Sequence, residues 1–183
     1  MTTAGLLLAA GAGRRMGTPK ALVRDPDGTS WLRRSVQVLR DGGCDPVHVV
    51  LGAAADEARA LLADLPVEVV VAHDWDEGMG ASLRAGLLAV GDRDSVLVSL
   101  VDLPDVGSAV VSRVLAAGTG RTTLARAAYD GVPGHPVLIG ADHLAPLVET
   151  VRGDVGARPY LAAHDVALVE CGDLATGADR DTA

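Results

Sequence analysis

Apolar residues recur along this chain in short blocks, each closed by glycine, proline or charged residues. The first, Leu6-Leu7-Leu8-Ala9-Ala10, is the right length for one buried strand. Similar blocks run from Val47 to Leu51, Val67 to Val71, Ser95 to Val101 and Val166 to Glu170, with a more polar one from Arg121 to Ala128. Between them the spacing is helical. Leu32, Val36 and Leu39 share one face of a helix that Thr29 or Ser30 caps and Asp41-Gly42-Gly43 ends. Ala53 to Leu62, Leu83 to Val90, Val106 to Ala116 and Asp142 to Val148 read as further helices, and a last one opens near Asp154 and runs to about Ala163. Alternation at this spacing predicts an α/β fold: a mostly parallel central sheet with helices on both faces. At 183 residues the chain is expected to form one domain, residues 1–183.

In such a sheet, ligand loops lie at the carboxyl ends of the strands. The first strand runs into Gly11-Ala12-Gly13-Arg14-Arg15-Met16-Gly17-Thr18-Pro19-Lys20. Glycines let backbone N–H groups wrap phosphate oxygens, and Arg14, Arg15 and Lys20 add positive charge, so this loop reads as a phosphate cradle. Its spacing fits neither common cradle. A P-loop needs Lys after its last glycine, and Gly17 is followed by Thr18. A dinucleotide fingerprint needs G-x-G-x-x-G and a ribose-binding carboxylate after the second strand; Gly11, Gly13 and Gly17 are one residue too long, and that strand ends Leu51-Gly52.

Three later loops carry candidate chemistry. His73 to Ser82 follows the third strand, with Trp75 expected to pack over the loop and the next helix N-terminus suited to an anion. Asp102 ends the fourth strand, where a buried carboxylate needs a partner; a divalent metal is one, a helix cap the other, and Asp105 suits the cap better by position. Tyr129 to Pro136 reads as a long turn in which His135 either meets a substrate or bonds across the turn, and Val137 to Ile139 resumes as strand. Asp154 fits a helix cap, His143 and His164 read as surface helix residues, and the acidic tail from Gly172 reads as an irregular, frayed terminus.

Composition narrows the ligand. Hydrophobic residues make up 49 % of the chain and phenylalanine is absent, so the core must be Ala, Val and Leu. The net charge of −8 argues against nucleic-acid binding, and it makes a divalent cation the expected bridge to any phosphate ligand. Cys44 and Cys171 form no metal-binding pair, and neither a signal peptide nor a membrane span is expected, which suggests a cytoplasmic protein.

The opening loop, read as Leu8-Ala9-Ala10-Gly11-Ala12-Gly13-Arg14-Arg15-Met16-Gly17-Thr18-Pro19-Lys20, resembles the signature of nucleotidyltransferases related to molybdenum cofactor cytidylyltransferase. Further matches follow in order: Trp75 with Glu77-Gly78-Met79 and Ser82-Leu83, Asp102-Leu103-Pro104, Gly134-His135-Pro136-Val137, Gly153 to Arg158, and Asp179-Arg180-Asp181-Thr182. The resemblance implies a Rossmann-like three-layer sandwich of the nucleotide-diphospho-sugar transferase type. It also implies transfer of CMP from CTP to a phosphorylated acceptor, molybdopterin cofactor, with release of pyrophosphate and dependence on Mg²⁺. Ala9, Ala10, Gly11, Ala12 and Gly13 would then hold the triphosphate, and Arg15 and Lys20 would neutralise charge during transfer. Gly52, Gly80 and Ser82 would line the base and ribose pocket, Asp102 and Asp181 would hold Mg²⁺, and His135 and Asp154 would face the acceptor. A molybdoenzyme or chaperone partner would follow from that role.

The chain departs from the pattern at Ala72, where relatives often carry Asn. It also lacks the Pro and acidic residue that usually follow Asp-x-Asp-Thr. Two other readings stay open: an NAD(P)H-dependent reductase of the nicotine blue oxidoreductase type, which resembles this branch in sequence, and a guanylyltransferase for another phosphorylated acceptor.

Overall fold

The computed structural model describes residues 2–118 and 120–180. Seven strands form one sheet: β1 Thr3–Ala9, β2 Val47–Leu51, β3 Glu68–Val71, β4 Ser95–Leu100, β5 Leu124–Tyr129, β6 Val132–Gly140 and β7 Ala167–Glu170. Their order is β3-β2-β1-β4-β6-β5-β7. β6 runs antiparallel to β4 and β5, and the remaining pairs are parallel. The helices are α1 Trp31–Asp41, α2 Ala55–Ala60, α3 Met79–Ala89, α4 Ser108–Leu115, α5 Leu144–Thr150 and α6 Arg158–Ala162.

The alternation of side chains along β1 builds the two outer layers. Leu7 and Ala9 point into a core shared with Trp31, Leu32, Val36 and Leu39 of α1 and Val110, Val111 and Val114 of α4. Leu6 and Leu8 point into the opposite core, closed by Leu83 and Leu87 of α3, Leu147 of α5 and Leu161 of α6. This is the Rossmann-like sandwich that the sequence pattern and the family resemblance imply.

β2 and β3 add to one side of β1 and β4 to the other, so the chain changes direction between β1 and β4. Such a switch point splays the two following loops apart and opens a crevice at the carboxyl ends of the strands. The glycine loop leaves β1 there, and Asp102 leaves β4 beside it.

Several boundaries differ from the sequence expectation. The turn after β5 is two residues long, with Asp130 and Gly131 at φ 51° and 77°; β6 then starts at Val132. Pro133 and Pro136 lie inside that strand, next to a shift in its pairing with β5 between Arg126 and Ala128, where fewer ladder N–H groups are required. α3 begins at Met79 rather than near Leu83, because the Gly153 carbonyl accepts the N–H groups of Gly80 and Ala81 and satisfies the first turn. Asp105 caps nothing: Gly107 stands at the start of α4, while the Asp105 carboxylate accepts from the backbone N–H and hydroxyl of Thr176. Asp154 is likewise no cap, since α6 starts four residues later. His164 is exposed, as expected, and His143 is half-buried. They flank Tyr160, whose hydroxyl meets His143 Nδ1 at 2.9 Å and whose ring stacks on His164 at 4.1 Å.

Candidate functional site

The loop after β1 turns back on itself through Gly13, where φ is +59° and an added Cβ would overlap the Thr18 carbonyl. The Gly13 carbonyl accepts from Met16, and one 3-10 turn, Lys20–Leu22, then fixes Lys20. Among the described residues, the N–H groups of Gly11, Ala12 and Gly13 find no acceptor. A run of unspent N–H groups in a glycine turn is an anion-binding concavity.

Lys20 reaches across the crevice to Asp102, with Nζ 2.5 Å from Oδ2. Both side chains are largely buried, at 19 % and 11 % exposure, so the pair is shielded from solvent screening. Around it lies a cleft of about 350 Å³. Ala9, Ala10, Gly11, Ala12, Gly13 and Lys20 form one side, and Trp75, Met79, Ser82 and Asp102 close it.

Three expected residues stand elsewhere. Gly52 and Gly80 are not among the residues lining this cleft. Gly52 lies under Trp75, so closely that a Cβ would come within 2.5 Å of the Trp75 side chain and 2.8 Å of the Ala10 carbonyl. Gly80 is buried against the 152–155 loop and spends its N–H on Gly153 at 2.7 Å. Both glycines permit close packing. Arg15 is exposed on the loop, and Arg14 is the arginine that lines the cleft. Asp181 lies outside the described residues.

No group of three or more His, Cys, Asp or Glu side chains is arranged to hold a metal among the described residues. Asp102 still fits one type of site. Mg²⁺ is usually held by one or two carboxylates together with substrate phosphates, and Asp102 offers a hard oxygen donor beside the cradle.

A second cavity of about 430 Å³ adjoins the first and shares Leu8, Met79 and Asp154 with it. His135 and Asp154, far apart in sequence, both line it, together with Arg126 from β5 and Arg158 from α6. The His135 segment is held rigidly: Tyr129 donates its hydroxyl to the His135 carbonyl at 2.7 Å, and Arg126 donates Nε and Nη2 to the Gly134 carbonyl. Burial, with Arg126 and Arg158 nearby, pushes the His135 pKa down to about 4, so its ring is neutral at pH 7. The sequence reading assigned no role to either arginine. Arg126 stands alone in the apolar strand Leu124–Tyr129, and that isolation is the signal it offered.

The tail is not frayed over its described part. Arg180 donates its backbone N–H to the Asp102 carbonyl, and its guanidinium reaches Asp25, which also accepts from the indole of Trp31. The tail thus braces the turn that carries Asp102.

Residues 5–168 match the MobA-like NTP transferase domain. The chain belongs to that family. Nicotine blue oxidoreductase of Paenarthrobacter nicotinovorans is 39 % identical over 189 residues, covering 97 % of this chain and 91 % of the relative. A "probable molybdenum cofactor guanylyltransferase" of Bacillus cytotoxicus is 32 % identical over 113 residues, covering 62 % of this chain and 55 % of the relative. Among solved structures, Rv0371c of Mycobacterium tuberculosis H37Rv superposes with a TM-score of 0.82 at 31 % identity, covering 100 % of this chain and 93 % of that one. A complex of that protein with manganese superposes at 0.77 and 29 % identity, covering 98 % of this chain and 94 % of that one. Membership places this chain in a nucleotidyltransferase family of MobA-like type. No helix among the described residues is long and apolar enough to cross a membrane.

Proposed function

We propose that this protein transfers a nucleoside monophosphate from a nucleoside triphosphate to a phosphorylated small-molecule acceptor, releasing pyrophosphate. CTP and molybdopterin cofactor are the donor and acceptor that the motif set favours. The observation that carries the reading is the unspent N–H groups of Gly11, Ala12 and Gly13 beside the buried Lys20–Asp102 pair.

The chemistry asks little covalent work of the chain. A phosphate monoester has a second pKa of about 6, so the acceptor is already mostly dianionic at neutral pH and needs no general base. Its oxygen attacks the α-phosphorus, the bond from that phosphorus to the bridging oxygen breaks, and pyrophosphate leaves with the electron pair. The obstacles are charge repulsion and alignment. In this reading the Gly11–Gly13 amides hold the phosphates, and Lys20 swings from Asp102 to the oxygens that gain charge. Arg15 adds positive charge at the loop's outer edge. Asp102 and Asp181 would hold a divalent cation. A bound Mg²⁺ would neutralise the triphosphate and polarise the α-phosphate. Ser82 and Trp75 flank the nucleoside, while His135 and Asp154 face the acceptor.

GTP is the competing donor, since a relative is named as a guanylyltransferase. A second reading, a reductase of nicotine blue type using NAD(P)H, draws on the 39 % identity across 91 % of that relative. The overlong glycine spacing and the strand end at Leu51-Gly52, with no ribose-binding carboxylate, weigh against it. Incubation with each nucleoside triphosphate, Mg²⁺ and molybdopterin, reading pyrophosphate, tests the proposal; NADPH oxidation with a quinonoid dye, run in parallel, tests the second reading.

A further inference from the structure

The second cavity has walls and charges that do not match each other. Its walls are apolar, built from Val98 of β4, Val137 and Ile139 of β6 and Leu161 of α6. Two guanidinium groups nevertheless line it. Among the described residues, neither Arg126 nor Arg158 has a carboxylate within 4.0 Å. A guanidinium carries five N–H donors; Arg126 spends its Nε and Nη2 groups on one carbonyl, Gly134, which fixes its plane and leaves the Nη1 donors unspent.

These two charges feel each other. Burial and Arg158 both lower the proton affinity of Arg126, as expected for like charges brought together at an apolar wall. Neutral His135 adds nothing to the repulsion and offers a ring nitrogen for hydrogen bonding. Arg126 is half-buried and Arg158 exposed, Asp154 lines the same cavity without pairing with either, and planar guanidinium groups suit carboxylate or phosphate oxygens in particular. Neither arginine lines the cradle cleft.

We infer that this cavity binds a ligand with an apolar body and an anionic group of its own, which Arg126 and Arg158 take between them beside His135. The inference deepens the proposed function, and rests on it in one respect only: the ligand is then the acceptor, held through an anionic group remote from the phosphate that reacts. Leu8, Met79 and Asp154, shared by the two cavities, mark where its reacting end would enter the cradle.

Binding can be tested without turnover. Isotope-labelled protein is titrated with phenyl phosphate, benzoate and neutral benzyl alcohol, and amide resonances are followed by NMR. Both anions are expected to shift signals of residues 135–139 and 155–157 more than those of Gly11 and Gly13. Arg158→Gln and Arg126→Gln should each weaken anion binding about tenfold and leave benzyl alcohol binding unchanged. Tighter binding of phenyl phosphate would make the group a phosphate, and tighter binding of benzoate a carboxylate. Anion affinity unchanged in Arg158→Gln, or anion shifts confined to the glycine loop, would overturn the inference. Arg158 is exposed, so that variant carries the test even if Arg126→Gln does not fold. Arginine-dependent anion binding without pyrophosphate release from any nucleotide would sink the transfer reading alone; release without that binding would sink this inference alone.

Discussion

Lys20 and Asp102 pair across the crevice, and both proposed roles require that pair to open. Lys20→Ala should lower kcat for pyrophosphate release at least a hundredfold, since it removes a positive charge placed where charge develops. Asp102→Ala should abolish metal-dependent turnover while circular dichroism shows an intact fold. Turnover unchanged in either variant would remove that residue from the mechanism. His135 yields a different kind of prediction. The folded protein keeps its ring neutral down to a pKa of about 4, whereas the unfolded chain protonates near 6.5. Between those values the unfolded state binds more protons, so this contribution to stability is complete above about pH 6.5 and falls away toward pH 4. The slope from one such group is at most about 1.4 kcal/mol per pH unit. Urea unfolding at pH 7 and pH 5 should therefore show a smaller loss in His135→Gln than in the parent, and parallel profiles would contradict the assignment. Single residues such as Arg126 escaped the sequence reading because one charge in an apolar strand has no periodicity; only the fold sets it opposite Arg158.

At the level of elements, the glycine loop was legible because chemistry and conformation coincide there. Gly13 shows why: its left-handed backbone and its approach to the Thr18 carbonyl leave no room for a side chain. Gly13→Ala should weaken nucleotide binding at least tenfold, measured by calorimetry, while shifting global stability by only about 1–3 kcal/mol. Equal affinity in that variant would separate the loop's shape from its function. Gly52 and Gly80 stand outside the cleft lining for a related reason. A glycine's sequence signal does not say whether ligand or protein backbone occupies the space beside it, and here Trp75 and the 152–155 loop do. The first half of β6 is masked by Pro133 and Pro136, which signal a break in sequence but sit where the ladder is already irregular. The early start of α3 depended on the Gly153 carbonyl, 73 residues beyond Gly80, which no local pattern reveals.

At the scale of the molecule, alternating strands and helices are enough to anticipate the parallel sheet and its two covering layers, because burial on both faces leaves short unbroken apolar runs for the strands and a 3.6-residue period for the helices. The sheet order decides function in turn. By reversing between β1 and β4 it sets the glycine loop beside Asp102, and by inserting β6 next to β4 it brings His135 and the arginine-lined cavity alongside. Two adjoining clefts, one lined by the glycine loop and one apolar with two cations, suit the proposed joining of a nucleotide to a second anionic molecule. Family relatives named for nucleotidyl transfer and for oxidoreduction share this scaffold, so the decisive measurement is of chemistry. Purified protein is incubated with Mg²⁺, molybdopterin and each nucleoside triphosphate in turn, with NADPH and a quinonoid dye as the parallel arm. The account predicts stoichiometric pyrophosphate with one nucleotide, CTP first, and no NADPH consumption. NADPH-dependent dye reduction with no pyrophosphate from any nucleotide would contradict it.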